Sequence, residues 1–101
     1  MMKVLKAKQS HLKKQIFPIS ELTFIKSMTP LKELMDGEEM LYPIQVVQHE
    51  VFDKIRYGAG GVEYKEKKYS VWKGSERIQA ALQLGYTHIE GVIANEYFER
   101  T

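Results

Sequence analysis

Hydrophobic and polar positions change their spacing repeatedly along this chain, and each change predicts an element. Leu5, Leu12 and Ile16 share roughly one helical face, which predicts a short helix within the first fifteen residues. Ile16 to Ile25 alternates loosely, as a strand does, with Pro18 near its start or edge. Thr29-Pro30 predicts a helix start: threonine caps, and proline at the first helical position loses no hydrogen bond. Leu31, Leu34 and Met35 give that helix its apolar stripe, and Gly37 its stop.

A strand follows Pro43 at Ile44-Gln45-Val46-Val47. From there to Trp72 the pattern predicts a long β-hairpin with Gly58-Ala59-Gly60-Gly61 at its tip. Ile55 and Tyr57 before the tip, and Val62 and Tyr64 after it, alternate with polar residues. Arg56 faces Glu63 in one of the registers this allows. Val71-Trp72 closes the second arm, and Trp72 reads as core or pocket wall. Gly74 permits a sharp turn, Ser75 is a good N-cap, and Ile78, Ala81, Leu82 and Gly85 recur at helical spacing. Ile89 to Ala94 is a last strand.

These elements sum to one α+β domain: a small mixed sheet with two or three helices and an extended β-hairpin. Its expected parts are a basic arm over 1–15, a body over 16–96 with the hairpin inserted near 48–68, and a tail over 97–101. A chain of 101 residues suits a single core with little to spare. No apolar run approaches the roughly 18 residues a bilayer needs, and no secretory core follows the lysines. Without cysteine there is neither a disulfide framework nor a thiol nucleophile, so a cytoplasmic protein is the economical reading.

Net charge changes the picture only through its distribution. Lys3, Lys6, Lys8, Lys13 and Lys14 give residues 1–15 a charge of +5, while the remaining ten bases and thirteen acids sum to −3. Such an arm could touch a phosphate backbone, and a solvated, partly frayed terminus is the readier explanation. His11, His49 and His88 lack metal-site spacing, and the glycine-rich tip lacks the lysine and hydroxyl of a P-loop.

The candidate chemistry gathers at Gly74-Ser75-Glu76-Arg77. A strand-to-helix turn directs unpaired backbone N–H groups at one spot, which suits an anion, and Arg77 adds a permanent cation there. Lys26, after the opening strand, is a second cation for the rim of such a pocket. The structural alternative is a cap serine, an acid at the positive helix end and a surface arginine.

The same residues carry a family resemblance. KGSERIQAALQLGY, followed by THIEGVIA, resembles the ParB/sulfiredoxin superfamily signature, in which a strand runs into G-x-x-R, a helix with small residues and an "LG" ending. GEEMLYPIQVV and FPISELTFIKSM resemble that superfamily's upstream segments, so the likeness covers most of 17–94. It implies a ParB-like accessory module that binds phosphate, a nucleotide or nucleic acid without evident catalysis. It admits a nucleotide-dependent phosphotransferase or hydrolase using a nucleoside triphosphate with magnesium, with Glu21, Asp36, Glu38 or Glu39 as candidate bases. A third reading is a protein-interaction module in which the hairpin offers its edge to a partner or a second copy.

Two departures narrow what the resemblance implies. Ser75 stands where sulfiredoxins carry their reactive cysteine, so sulfur chemistry has no starting point. Glu76 replaces the non-acidic residue of triphosphate-binding relatives. A carboxylate roughly 5 Å from a phosphate is repelled by about 3 kcal/mol at an effective dielectric near 20. Full partition proteins also continue into a helix-turn-helix domain, for which 101 residues leave no room, so operator-specific DNA reading is not expected.

Overall fold

A computed structural model describes residues 2–8, 13–55 and 63–94. Its strands are β1 (Val4–Leu5), β2 (Gln15–Pro18), β3 (Leu22–Thr23), β4 (Ile44–Ile55), β5 (Glu63–Lys73) and β6 (His88–Ile93). Two α-helices join them, α1 (Lys32–Met35) and α2 (Ser75–Gln83), with a 3-10 turn over Ile19–Glu21. All six strands belong to one mixed sheet, following the path β1-β6-β4-β5-β3, and β2 also pairs with β6. The α+β architecture therefore stands, with two α-helices among the described residues.

The long hairpin is present as antiparallel β4 and β5, paired from Gln45 opposite Lys73 to Ile55 opposite Glu63 with register shifts between Gln45 and Val46 and between Phe52 and Lys54. Its expected glycine tip, with Arg56, Tyr57 and Val62, lies outside the described residues, as does the tail beyond Ala94. β6 returns parallel to β4, pairing Ile44 with Gly91 and Val46 with Ile93. Parallel neighbours require a crossover, and α2 supplies it.

Alternation along β4 sets the core. Ile44 and Val46 are fully buried, and Ile78, Ala80 and Ala81 of α2 and Ile89 of β6 are buried with them. Phe17 of β2 meets Tyr69 of β5 edge to face, with ring centroids 5.1 Å apart. Leu34 of α1 and Met40 complete the buried cluster beneath α2.

Three local expectations are corrected. Residues 2–8 form no helix: Val4 and Leu5 pair in parallel with His88 and Ile89, and Ala7 bridges Met40. Pairing with the backbone of β6 is preferred here over a short isolated helix, which is marginal in water. Pro18 ends β2 rather than opening it, because a 3-10 turn begins at Ile19. Thr29 does not cap α1; the helix starts at Lys32 after an extended Leu31 with no side-chain cap. The Leu31 N–H instead donates to the Glu76 carbonyl of α2 at 2.9 Å, so a tertiary bond fixes the helix start. Gly37 ends this segment as expected, at φ +89° with its N–H on the Leu34 carbonyl.

Candidate functional site

Gly74 is the point on which the site's geometry turns. It is buried, holds φ +116° and serves as the N-cap of α2, its carbonyl accepting from the N–H groups of Arg77 and Ile78. A Cβ placed there would lie 2.6 Å from Ile44 Cγ2, so strand and helix approach as closely as a bare backbone permits. The helix thus begins directly on the core.

Ser75 is consequently not the cap. It is the first helical residue, only 4% exposed, and its Oγ accepts a hydrogen bond from the Ile25 N–H at 3.1 Å. The expected cap role passes to Gly74 because Ile44 leaves no room for a side chain there, and the serine ties α2 to the segment after β3. Gln79 strengthens that tie, its Nε2 donating to the Lys26 carbonyl at 2.8 Å. Lys26 is therefore held beside the first turn of α2, with its side chain exposed.

Arg77 is half-buried, on the other side of the same turn. Its Nη1 donates to the carbonyls of Pro43 at 3.0 Å and Tyr42 at 3.3 Å. No carboxylate among the described residues pairs with it. A guanidinium has five N–H donors, and the two carbonyls engage a single nitrogen. Arg77 lines an open cleft of about 670 Å³ whose apolar part is Leu31, Leu34, Met40, Leu41 and Tyr42. Glu33, Glu38 and Glu39 line it as well, together with Lys8, which meets Glu39 at 3.7 Å.

The structure brings together Gly74, Ser75, Glu76, Arg77 and, through Gln79, Lys26. The N-terminal lysines lie elsewhere and are in part spoken for. Lys3 donates from Nζ to the Leu84 carbonyl at 3.1 Å and stands over the Tyr86 ring at 4.5 Å. Cations suit a helix C-terminus, so Lys3 closes the far end of α2. Lys14 reaches Glu90 at 3.4 Å and the Ala7 carbonyl at 3.0 Å, and both charged side chains are largely buried. Lys8 is engaged by Glu39, while Lys6 and Lys13 are exposed. Within this segment Val4 and Leu5 pair with β6 and Ala7 bridges Met40, while residues 9–12 lie outside the described residues.

Of the candidate bases, Glu38 and Glu39 reach the cleft; Glu21 ends the 3-10 turn and Asp36 follows α1, both exposed. Among the described residues no group of three His, Cys, Asp or Glu side chains stands close enough to hold a metal ion. No helix among those residues is long and apolar enough to cross a membrane.

Sequence reasoning missed two features. The Tyr42 and Pro43 carbonyls that hold Arg77 leave no trace in residue identity, since any residue carries a carbonyl. Trp72 was expected in the core or a pocket wall but is 63% exposed. The cause is strand alternation: Val71, opposite the buried Val46, packs against the core, so its neighbour Trp72 turns to the other face, and the register shift there pairs Gln45 with Lys73. Val71 packs against the core, and both Trp72 and Lys73 are exposed. Compared with family models, with curated proteins and with solved structures, the chain matches none.

Proposed function

We propose that this chain is a ParB-like binding module that recognises a phosphate-bearing ligand, a nucleotide or nucleic acid, at the first turn of α2 without catalysis. The observation that carries this reading is Arg77. It is a permanent cation, half-buried in a cleft wall, held by two backbone carbonyls and facing no carboxylate partner among the described residues. Carbonyls orient a guanidinium without cancelling its charge, so the group keeps its attraction for an anion against the opposing field of Glu33, Glu38 and Glu39 on the same cleft. A charge-assisted bond of this kind contributes roughly 1.5–3 kcal/mol.

The first amides of α2 add a weaker pull of about 0.3–1 kcal/mol toward negative charge. The element order supports the superfamily likeness: strand, Gly74, helix, Gly85 and strand follow one another as the motif requires. Glu76 works against a densely charged triphosphate, which favours ligands that place a single phosphate near Arg77. The phosphotransferase alternative needs a divalent metal, and the described residues offer no carboxylate cluster for one.

A thermal-shift and calorimetric panel of nucleotides, inorganic phosphate and short DNA tests the reading. Wild type is stabilised by at least one phosphate-bearing ligand, and Arg77→Ala loses that stabilisation while melting unliganded like wild type. Turnover of a nucleoside triphosphate with magnesium would replace this reading by the enzymatic one.

A further inference from the structure

We infer that the cleft between α1 and the Met40-to-Pro43 segment takes a phosphate ester that also carries an ammonium group, the two joined by a short apolar spacer lying from Arg77 to Glu38. This rests on the reading of Arg77 as the phosphate-binding group and adds what the rest of the ligand carries.

The cleft is a stretch of chain folded back on itself, with Arg77 across its mouth. One wall begins at Leu31, whose N–H donates at 2.9 Å to the carbonyl of Glu76, the neighbour of Arg77 in sequence. That wall follows α1 to the turn at Gly37, after which the Glu38 N–H donates to the Glu33 carbonyl at 2.9 Å. The chain then returns through Met40 to Tyr42 and Pro43, whose carbonyls accept from Arg77 Nη1 at 3.3 and 3.0 Å. Both walls therefore meet Arg77 at one end, and Gly37, Glu38 and Glu39 close the other. At an α-helical rise of 1.5 Å per residue, Leu31 and Glu38 stand roughly 10 Å apart along the first wall. Leu31, Leu34, Met40, Leu41 and Tyr42 line the space between, and Leu41 and Tyr42 are each 53% exposed.

The two ends carry opposite charges. Arg77 pairs with no carboxylate among the described residues. Glu39 meets Lys8 at 3.7 Å, whereas Glu33 and Glu38 pair with no cation among those residues. Two cations, Lys8 and Arg77, and three carboxylates leave the lining at −1.

That balance selects the occupant. A simple anion or a nucleic-acid strand gains the guanidinium but meets the repulsion of the carboxylates in the same cleft. A simple cation meets the reverse difficulty at Arg77. A ligand with one charge of each sign satisfies both ends, and its apolar spacer covers Leu41 and Tyr42. The cleft volume of about 670 Å³ lies within the roughly 300–1,000 Å³ of small-molecule sites.

Calorimetric titration of the full chain tests this with 6-aminohexyl phosphate, hexyl phosphate, 3-aminopropyl phosphate, hexylamine and a ten-nucleotide oligothymidine. 6-Aminohexyl phosphate binds about 10-fold tighter than hexyl phosphate, the gain from one charge-assisted contact. The three-carbon amine falls short of Glu38 and loses that advantage. The double variant Glu33→Gln, Glu38→Gln narrows the difference to within about 2-fold, and it binds hexyl phosphate at least as well as wild type, which shows the cleft intact. Arg77→Ala weakens both hexyl esters.

Equal affinity for 6-aminohexyl phosphate and hexyl phosphate, with both lost in Arg77→Ala, overturns this inference and leaves the phosphate reading standing. A difference that survives in the double variant does the same. Oligothymidine that binds through Arg77 more tightly than 6-aminohexyl phosphate also overturns it and points to nucleic acid. Hexylamine binding as tightly as 6-aminohexyl phosphate, with Arg77→Ala unaffected, or no binding by any of the five, removes both readings.

Discussion

The two ends of α2 treat their cations in opposite ways. At its C-terminus Lys3 covers the Leu84 carbonyl and the Tyr86 ring, and nearby Lys14 is matched by Glu90. At its N-terminus Arg77 bonds to backbone carbonyls, and no carboxylate among the described residues pairs with it, although Glu33, Glu38 and Glu39 line the same cleft. Both ends are rich in basic residues, so composition alone would rank the lysine-rich N-terminal segment first. Partnering reverses that order. A cation consumed inside the fold stabilises it, and one oriented without a counter-charge is available to a ligand.

Substitutions that sharpen this contrast span a range of effects, and the largest falls on the backbone that creates the open end. Gly74→Ala forces a Cβ to within 2.6 Å of Ile44 at φ +116° and lowers stability by about 3 kcal/mol in chemical denaturation. An unchanged denaturation midpoint would mean that strand and helix are not locked at this glycine. At the closed end, Glu90→Ala strands the largely buried Lys14 and the Ala7 N–H, which meets the carboxylate at 2.7 Å. Its expected cost is about 2 kcal/mol, measured the same way, with no loss of phosphate-ligand binding.

Ser75→Ala removes the acceptor for the Ile25 N–H and costs about 1 kcal/mol. Because this bond is tertiary, the variant loosens residues near Ile25, and hydrogen exchange accelerates there before it does within α2. Uniform acceleration along α2 alone would restore serine to a capping role. Lys3→Ala is the mildest, at about 0.5 kcal/mol, since its bond and its ring contact are both exposed.

How much of this was legible in residue identities depends on how local each cause is. The hairpin arms, α2 and the final strand follow from alternation and helical spacing, and all three stand where the pattern placed them. Gly37 and Gly74 were readable as turns because only glycine adopts their φ values without strain. Ser75 was assigned the wrong partner for a non-local reason: Ile44 lies 31 positions upstream, yet it decides that the capping residue must lack a Cβ. Trp72 was misplaced because residue type does not say which of the adjacent Val71 and Trp72 faces the core; Val71 takes that side, and alternation exposes its neighbour. The partners of Lys3 and Lys14, namely Leu84, Tyr86 and Glu90, lie some eighty residues away in sequence, so local pattern could not reveal them.

Arg77 was singled out correctly as a residue in the first turn of a helix, while the carbonyls that aim it came only with the fold. Its free charge is the claim on which the functional reading depends. Calorimetric titration of wild type, Arg77→Ala and Lys3→Ala with a nucleoside monophosphate tests it most directly. Wild type and Lys3→Ala should bind alike and Arg77→Ala at least about 10-fold more weakly, the loss of one charge-assisted bond. Equal binding by all three proteins, or a loss confined to Lys3→Ala, would contradict the account.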